Sequence, residues 1–240
     1  MMLLHCEKIL HQGEKRLGMQ DEDFAATQNI EGTTVRLWFR KTELTVKAMY
    51  QPILDYLSKY IELTDTEAER FKSFLKHRKL RKRQYLLQAG DVSTFETFVA
   101  GGCLRSYSVE EDGTEHIVQF AIENWWIGDL YSFLSGAPAT LNIDAIEDSD
   151  VFTIDKSDLE RLYREIPKFE RMFRILFQNA FVAYQQRILS KISQTAEEQY
   201  IEFIGKYASI EQRVPQHQIA SYLGMSAETI SRIRKQQSKH

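Results

Sequence analysis

The side chains best placed for recognition chemistry are Ala227, Glu228, Thr229, Ser231, Arg232 and Lys235, within the closing stretch VPQHQIASYLGMSAETISRIRKQQSKH. A glutamate accepts from cytosine N4, an arginine makes a bidentate contact to guanine, and an alanine offers apolar contact to a thymine methyl. Lysine supplies charge to phosphate. The rest of the stretch reads as the means of holding that polar face outward. Ile219, Ala220 and Leu223 line one face of a short helix that Pro215 can open, since proline in the first turn loses no hydrogen bond. Ala220 is small where a second helix must pass close. Gly224 stands where the chain turns sharply and reaches the left-handed conformation without a Cβ clash. Ser226 then caps a second helix, with Glu228 in its first turn to suit the dipole. Ile230 and Ile233 turn that helix's inner face back onto Ile219 and Leu223. Together these parts form a helix-turn-helix, whose second helix enters the DNA major groove. Gln216, His217 and Ser226 join the outward residues as expected contacts to double-stranded DNA. The competing reading is an amphipathic helical hairpin that merely ends the chain.

Composition neither supports nor contradicts this. The 240 residues suffice for a core of ordinary size and for two domains. Net charge is -3, yet between Arg213 and His240 the cations Arg213, Arg232, Arg234, Lys235 and Lys239 face only Glu228, with Glu211 just outside. Such a local positive field suits a specific reader. The two cysteines, Cys6 and Cys103, are too few for a disulfide framework or for a cysteine-ligated iron-sulfur cluster within one subunit. No apolar run approaches the length of a membrane span, and the opening MMLLHCEKIL is broken by His5, Glu7 and Lys8. A soluble, cytoplasmic protein with no membrane partner is expected.

The elements that position the reading face follow from patterning. Residues 1–48 are poorly patterned, although LLHCEKIL and VRLWFRKTEL could each form a short element, and they read as a loose N-terminal extension or a misread start. Within 49–166, a helix from Pro52 to Tyr60 and a second one, opened by the capping box Thr64/Glu67 and running through Leu75, precede a change of period from helical to two. Between Lys79 and Ile154 the segments KLRKRQYLLQ, TFVAGGCLRSYSVE, EHIVQFAIE, LNIDAIE and DVFTI predict strands, with hairpin signals at Asp112-Gly113 and Gly90-Asp91. An antiparallel β-roll or jelly roll results. The basic run Lys76, Arg78, Lys79, Arg81, Lys82 and Arg83 at its entrance reads as a charge-protected edge strand or as a surface touching DNA.

Asp155 caps a short helix through Glu165, and Pro167 opens a long one over 167–193. Along it Phe169, Met172, Phe173, Leu176, Ala180, Ala183, Tyr184 and Ile188 recur at threes and fours. Roughly twenty-five residues extend about 38 Å, more than one side of a small barrel covers. Part of the stripe therefore needs another partner, and a two-fold seam of Phe173, Leu176, Ala180 and Ala183 is expected; burial wholly against its own domain is the alternative. The fold class is α+β, with a β-roll effector domain, a long dimerisation helix, and a helix-turn-helix domain of winged type over 194–240.

From about Met49 onward this order of parts resembles the Crp/Fnr family of bacterial transcription regulators. QIASYLGMSAETISRIRK matches the family's helix-turn-helix, Gly128-Asp129-Leu130 the opening of its phosphate cassette, and LNIDAIEDSDVFTI the strand that follows. The resemblance implies a homodimer on a pseudo-palindromic operator, with RNA polymerase as a further partner. In cyclic-AMP-binding members an arginine grips the cyclic phosphate ten residues after the cassette acid, followed by serine or threonine. The matching positions here are Ala139 and Thr140. A charged hydrogen bond of about 1.5 to 3 kcal/mol is missing, so cyclic AMP is not the expected effector. Gly128, Asp129, Leu130, Ala139 and Thr140 are the effector-site candidates, Asp129 serving either as a ribose acceptor or as a surface turn residue. Oxygen-sensing members need an N-terminal cysteine cluster, and only Cys6 lies there. No cofactor is identified on these grounds. Members that read guanine twice present arginine, glutamate and arginine where this chain has Ala227, Glu228 and Arg232, so its operator should differ.

Two other classes compete. A cupin-like metal-dependent enzyme needs two histidines and a carboxylate facing one metal, whereas Glu115-His116 stands alone on its strand with His77 far off. Neither catalytic residues nor a metal site are therefore expected. A sensory module binding a ligand or a protein, with a vestigial helix-turn-helix, would show only non-specific DNA affinity.

Overall fold

A computed structural model of the chain describes residues 48–237. Cys6, Lys239 and nearly all of the expected extension lie outside the described residues. Helix α1, through residues 48–57, buries Ile53 and Leu57. Helix α2 (Asp65–Lys72) starts on the capping box read from the sequence: the Glu67 N–H donates to Thr64 Oγ1 at 3.3 Å, and the Thr64 N–H to Glu67 Oε2 at 2.8 Å. It ends before Leu75, because Leu75 opens strand β1 (Leu75–Leu80) and pairs with Ile154. The strands that follow are β2 (Tyr85–Leu87), β3 (Phe95–Gly101), β4 (Leu104–Val109), β5 (Glu115–Ala121) and β6 (Trp126–Ile127). After the short helix α3 (Leu130–Ser135) come β7 (Asn142–Ala145) and β8 (Ser149–Asp155).

The strands form two four-stranded antiparallel sheets, ordered β1-β8-β3-β6 and β2-β7-β4-β5. Leu80, Val99, Leu104, Ile127, Ile143 and Val151 pack into one core cluster drawn from both sheets. Asp112-Gly113 does form the β4–β5 hairpin, with Gly113 at φ 86. Gly90 turns at φ 96 but makes no hairpin, since β2 and β3 belong to different sheets. The segment TFVAGGCLRSYSVE likewise divides at a corner into β3 and β4. A Cβ at Gly102, φ 96, would stand 2.2 Å from Ser149 Oγ and 2.6 Å from Ser149 Cα, so only glycine fits that corner.

Helix α4 (Lys156–Glu165) follows β8 and buries Leu159 and Leu162. Helix α5 (Lys168–Ser193) has the expected bounds, with Pro167 at its N-cap and Gln194 at its C-cap. Its first turns are anchored in the roll domain, where Phe169 stacks on Phe71 at 4.8 Å between centroids. The chain continues as α6 (Ala196–Lys206), α7 (Ala208–Arg213), α8 (Gln216–Leu223) and α9 (Ala227–Gln237). No strand occurs among the described residues of 194–237, which corrects the expected wing: α7 occupies the segment before the helix-turn-helix and fixes it by burying Ile210. No helix of the described residues is long and apolar enough to cross a membrane.

Candidate nucleic-acid interface

The helix-turn-helix is built as its residue types demand. Gly224 ends α8 at φ 72, ψ 36, and the Met225 N–H reaches back to the Ala220 carbonyl at 2.9 Å, closing the helix with a left-handed turn. Ser226 caps α9, its hydroxyl accepting from the Thr229 N–H at 3.2 Å. Ile219 and Ala220 of α8 meet Ile230 and Ile233 of α9 in one buried cluster. Burying four such side chains is what sets the angle between the helices and leaves the other face of α9 in solvent.

That outer face carries Ala227, Glu228, Arg232 and Lys235 exposed and Thr229 and Ser231 half-buried. Gln216 and His217 from the start of α8 line the same concavity as Ala227, Glu228, Ser231, Arg232 and Lys235. Glu228 is held below the usual carboxylate range by its own backbone N–H and by the Ser226 hydroxyl. It remains an ionised acceptor at the mouth of the concavity.

Two of the cations counted toward the local positive field serve another purpose. Arg213 donates to both Glu123 oxygens at 2.9 Å and pairs with Glu147, tying the C-terminal helical domain to the roll. Arg234 lies 3.7 Å from Glu211. Two further latches escaped sequence reasoning. The Ser221 hydroxyl donates to the Glu115 carbonyl at 2.7 Å and accepts from the Ile117 N–H at 3.0 Å, so a side chain of α8 satisfies the open edge of β5. Arg187 of α5 donates to the Val118 carbonyl and stacks over the Tyr222 ring at 4.1 Å. These partners lie far apart in sequence, and no local signal pairs them.

The cassette residues come together differently from expectation. Asp129 is buried and caps α3: one carboxylate oxygen accepts from the Ser132 N–H at 3.0 Å, the other from the N–H groups of Thr140 and Leu141 at 2.9 and 3.1 Å. It is therefore neither a surface turn residue nor a free ribose acceptor. Its three backbone bonds close the 130–141 loop. Leu130 and Thr140 are exposed. Ala139 is buried, and its backbone is bonded in both directions, N–H to the Asp91 carbonyl at 2.7 Å and carbonyl to the Gly90 N–H at 2.8 Å. Gly128 lies against Glu96, whose Oε2 would stand 2.6 Å from a Cβ there. The buried guanidinium of the roll, Arg105, is committed to Asp144 at 2.8 Å and to Glu115.

On α5, Phe173 does not join the expected seam. It is buried in its own domain, edge-on to Trp126 at 5.1 Å and to Tyr163 at 5.8 Å. Leu176 is half-buried, and Ala180 and Ala183 are exposed. Beyond Phe173 the helix leaves Phe177, Phe181, Tyr184, Ile188 and Ile192 exposed. His77 and His116, on different sheets, each face a single carboxylate, Asp150 at 2.9 Å and Glu110 at 2.8 Å. Among the described residues no group of three potential metal ligands occurs.

Residues 77–165 match the model of the cyclic nucleotide-binding domain. The fumarate and nitrate reduction regulatory protein of Vibrio cholerae serotype O1 is 28% identical over 185 residues, covering 71% of this chain and 72% of its own length. Among solved structures, the c-di-GMP-responsive global regulator CLP of Xanthomonas campestris is 14% identical, covers 73% of this chain and 92% of its own, and has a TM-score of 0.61. FixK2 from Bradyrhizobium japonicum is 21% identical over 69% of this chain and 85% of its own, with a TM-score of 0.58. At those identities the two structures share its fold. With a cyclic nucleotide-binding roll, a long helix, an exposed reading helix and relatives that are regulators, the chain is similar to the DNA-binding transcription regulators of the Crp/Fnr family.

Proposed function

We propose that the protein is a transcription regulator of the Crp/Fnr family, a cytoplasmic homodimer without enzymatic activity that places two copies of α9 in successive major grooves of a pseudo-palindromic duplex and acts there on RNA polymerase. The observation that carries this reading is the polar face of α9, exposed to solvent while Ile230 and Ile233 hold its other face in the core. Selection from random duplexes tests it, and a selection that returns no enriched motif would leave a vestigial reader. Arg232→Ala should cost roughly 1 to 3 kcal/mol and relax preference at one base pair per half-site. Lys235→Ala should weaken all sequences alike and make the salt dependence shallower by about one phosphate per protomer. Both are read by fluorescence anisotropy on the selected duplex and on single-base variants.

Cyclic AMP does not fit as the effector of this chain. Ala139 supplies no cation to a cyclic phosphate, Asp129 has both carboxylate oxygens occupied by backbone N–H groups, and Arg105 is already neutralised by two carboxylates. Isothermal calorimetry should therefore show no cyclic AMP binding at micromolar concentration. Micromolar binding coupled to tighter DNA binding would show that another cation has taken the place of the arginine.

A further inference from the structure

Glu96 is a buried acid that neither the reading helix nor the packing of the roll accounts for. It is 6% exposed, its Oε1 has no hydrogen-bond partner among the described residues, and its Oε2 would stand 2.6 Å from a Cβ at Gly128. Among the described residues, nothing packed around it supplies a positive charge. The cassette corner brings Asp129, whose charge opposes its ionisation, and β8 brings Ile154 opposite it. Helix α4 brings the phenol of Tyr163, which Glu160 of the same helix and Glu170 of α5 also face. Lys156, at the start of α4, donates instead to the Phe133 and Leu134 carbonyls at 2.6 and 3.0 Å.

The place of this carboxyl in the fold gives it reach. Glu96 and Phe98, two residues apart on β3, share one face of the strand. Phe98 lies edge-on to Trp126 at 5.4 Å, Trp126 to Phe173 at 5.1 Å, and Phe173 to Tyr163 at 5.8 Å. Trp126 stands two residues before Gly128, and Tyr163 faces Glu96, so the carboxyl closes a circuit of rings that runs from the cassette corner to α5. Phe173 is the last of the three side chains by which α5 is buried in its own protomer.

A neutral carboxyl fits this site with one oxygen unpaired, whereas a carboxylate there is dry and stands beside a second one. Burial and the charge of Asp129 accordingly push Glu96 up to about 7. Once ionised it is relieved by water, which enters only if the 128–130 corner or α4 moves away. Either movement draws Trp126 or Tyr163 from Phe173 and frees the base of the long helix. We infer that Glu96 is a proton switch: neutral, it holds the cassette corner, α4 and α5 together, and ionised, it loosens the base of α5 and weakens operator binding. The inference rests on the proposed reading of DNA by a dimer, and the two can fail separately.

Operator affinity of the full-length protein is measured by fluorescence anisotropy at constant ionic strength, from about pH 6 to about pH 8.5, for the unmutated protein and for Glu96→Gln. The ratio of the two affinities removes the titration of other groups. The two proteins should bind alike at the acid end. At the alkaline end the unmutated protein should bind about tenfold more weakly than the variant, the ratio turning at about 7. Tyr163→Phe, which keeps the ring and removes only the phenol, should retain this dependence; its loss would assign the titration to the phenol and overturn the inference. Hydrogen exchange of the unmutated protein without DNA, corrected for the intrinsic effect of pH, gives a readout that needs no variant. Protection over 128–141 and 156–173 should fall about tenfold across the same range, while that of β4 and β5 holds. Parallel affinity profiles for the unmutated protein and Glu96→Gln would overturn the inference, as would protection that stays uniform with pH. If selection returns no operator, the reading by α9 fails on its own and the exchange measurement decides the switch alone, as it does if Glu96→Gln does not fold.

Discussion

Phe181→Glu, or Ala180→Glu one residue earlier, should turn the protein into a folded monomer whose affinity for its operator collapses at least hundredfold. The long helix buries only Phe169, Met172 and Phe173 in its own protomer. Phe177, Phe181, Tyr184, Ile188 and Ile192 follow at spacings of four, three, four and four, so they share one face, and they are 40%, 64%, 47%, 57% and 77% exposed. Full burial of a large apolar side chain is worth about 1.5 to 3 kcal/mol, so a row of five carries a driving force on the order of 10 kcal/mol before entropic costs. A second copy of the same helix supplies a matching face. Across a two-fold axis a glutamate at position 181 meets its own image, adding repulsion and desolvation to the lost contact. Circular dichroism should not change, because Phe181 supports nothing within its protomer. DNA affinity should fall because two readers joined about 34 Å apart gain from each other's binding, typically by a factor of 10² to 10⁴, and a monomer has no such gain. Phe173→Ala should behave oppositely, lowering protomer stability by about 3 to 5 kcal/mol while leaving the seam in place. Sedimentation of the unmutated protein as a monomer at micromolar concentration, both free and on its operator, would remove the basis of this account.

Helix α5 shows where sequence reading was sound and where it stopped. Pro167 and the apolar period fixed the extent of α5, because helix ends and faces are local properties. The period could not say how far the roll domain reaches along the helix, and it reaches as far as Phe173 through Trp126 and Tyr163. Gly224, Ser226 and Ala220 made the helix-turn-helix readable for the same reason, each answering a steric demand set within a few residues. Strand β1 was hidden because LKHRKL buries only its two end leucines and leaves lysines and arginine between them. Asp129 could be matched to a cassette motif, but its role as the staple of the 130–141 loop depends on the N–H groups of Thr140 and Leu141, eleven and twelve residues away. Ser221 and Arg213 were still less accessible. Their partners Glu115 and Glu123 lie 106 and 90 residues earlier, and nothing at either end announces the pairing.

Glu96→Gln should stabilise the protein at alkaline pH and change little in acid. Glu96 projects from β3 against Gly128 and Asp129, and it is almost fully buried, with Oε1 lacking a partner among the described residues. Burial, and after it the charge of Asp129, push its carboxyl up from 4.5 to about 7. The phenol of Tyr163, on α4, also faces it and is raised by burial and by surrounding acids, so it brings no positive charge to Glu96. Because the folded value lies above the unfolded one, the native state binds the proton more tightly, and stability declines as the pH rises. The contribution is complete below about 4.5 and is lost as the pH passes through about 7. A shift of that size corresponds to about 3 kcal/mol at alkaline pH, which glutamine, neutral throughout, does not forfeit. For a domain of this size that is roughly 5 to 10 °C in Tm. Thermal melts of the two proteins should therefore nearly coincide at about pH 4.5 and separate progressively toward about pH 8, with the variant higher. A difference constant across that range would mean that Glu96 keeps its charge in the folded state and has found a partner. The contact between Glu96 and Gly128 would then join a charged group, not a neutral one, to the start of the cassette.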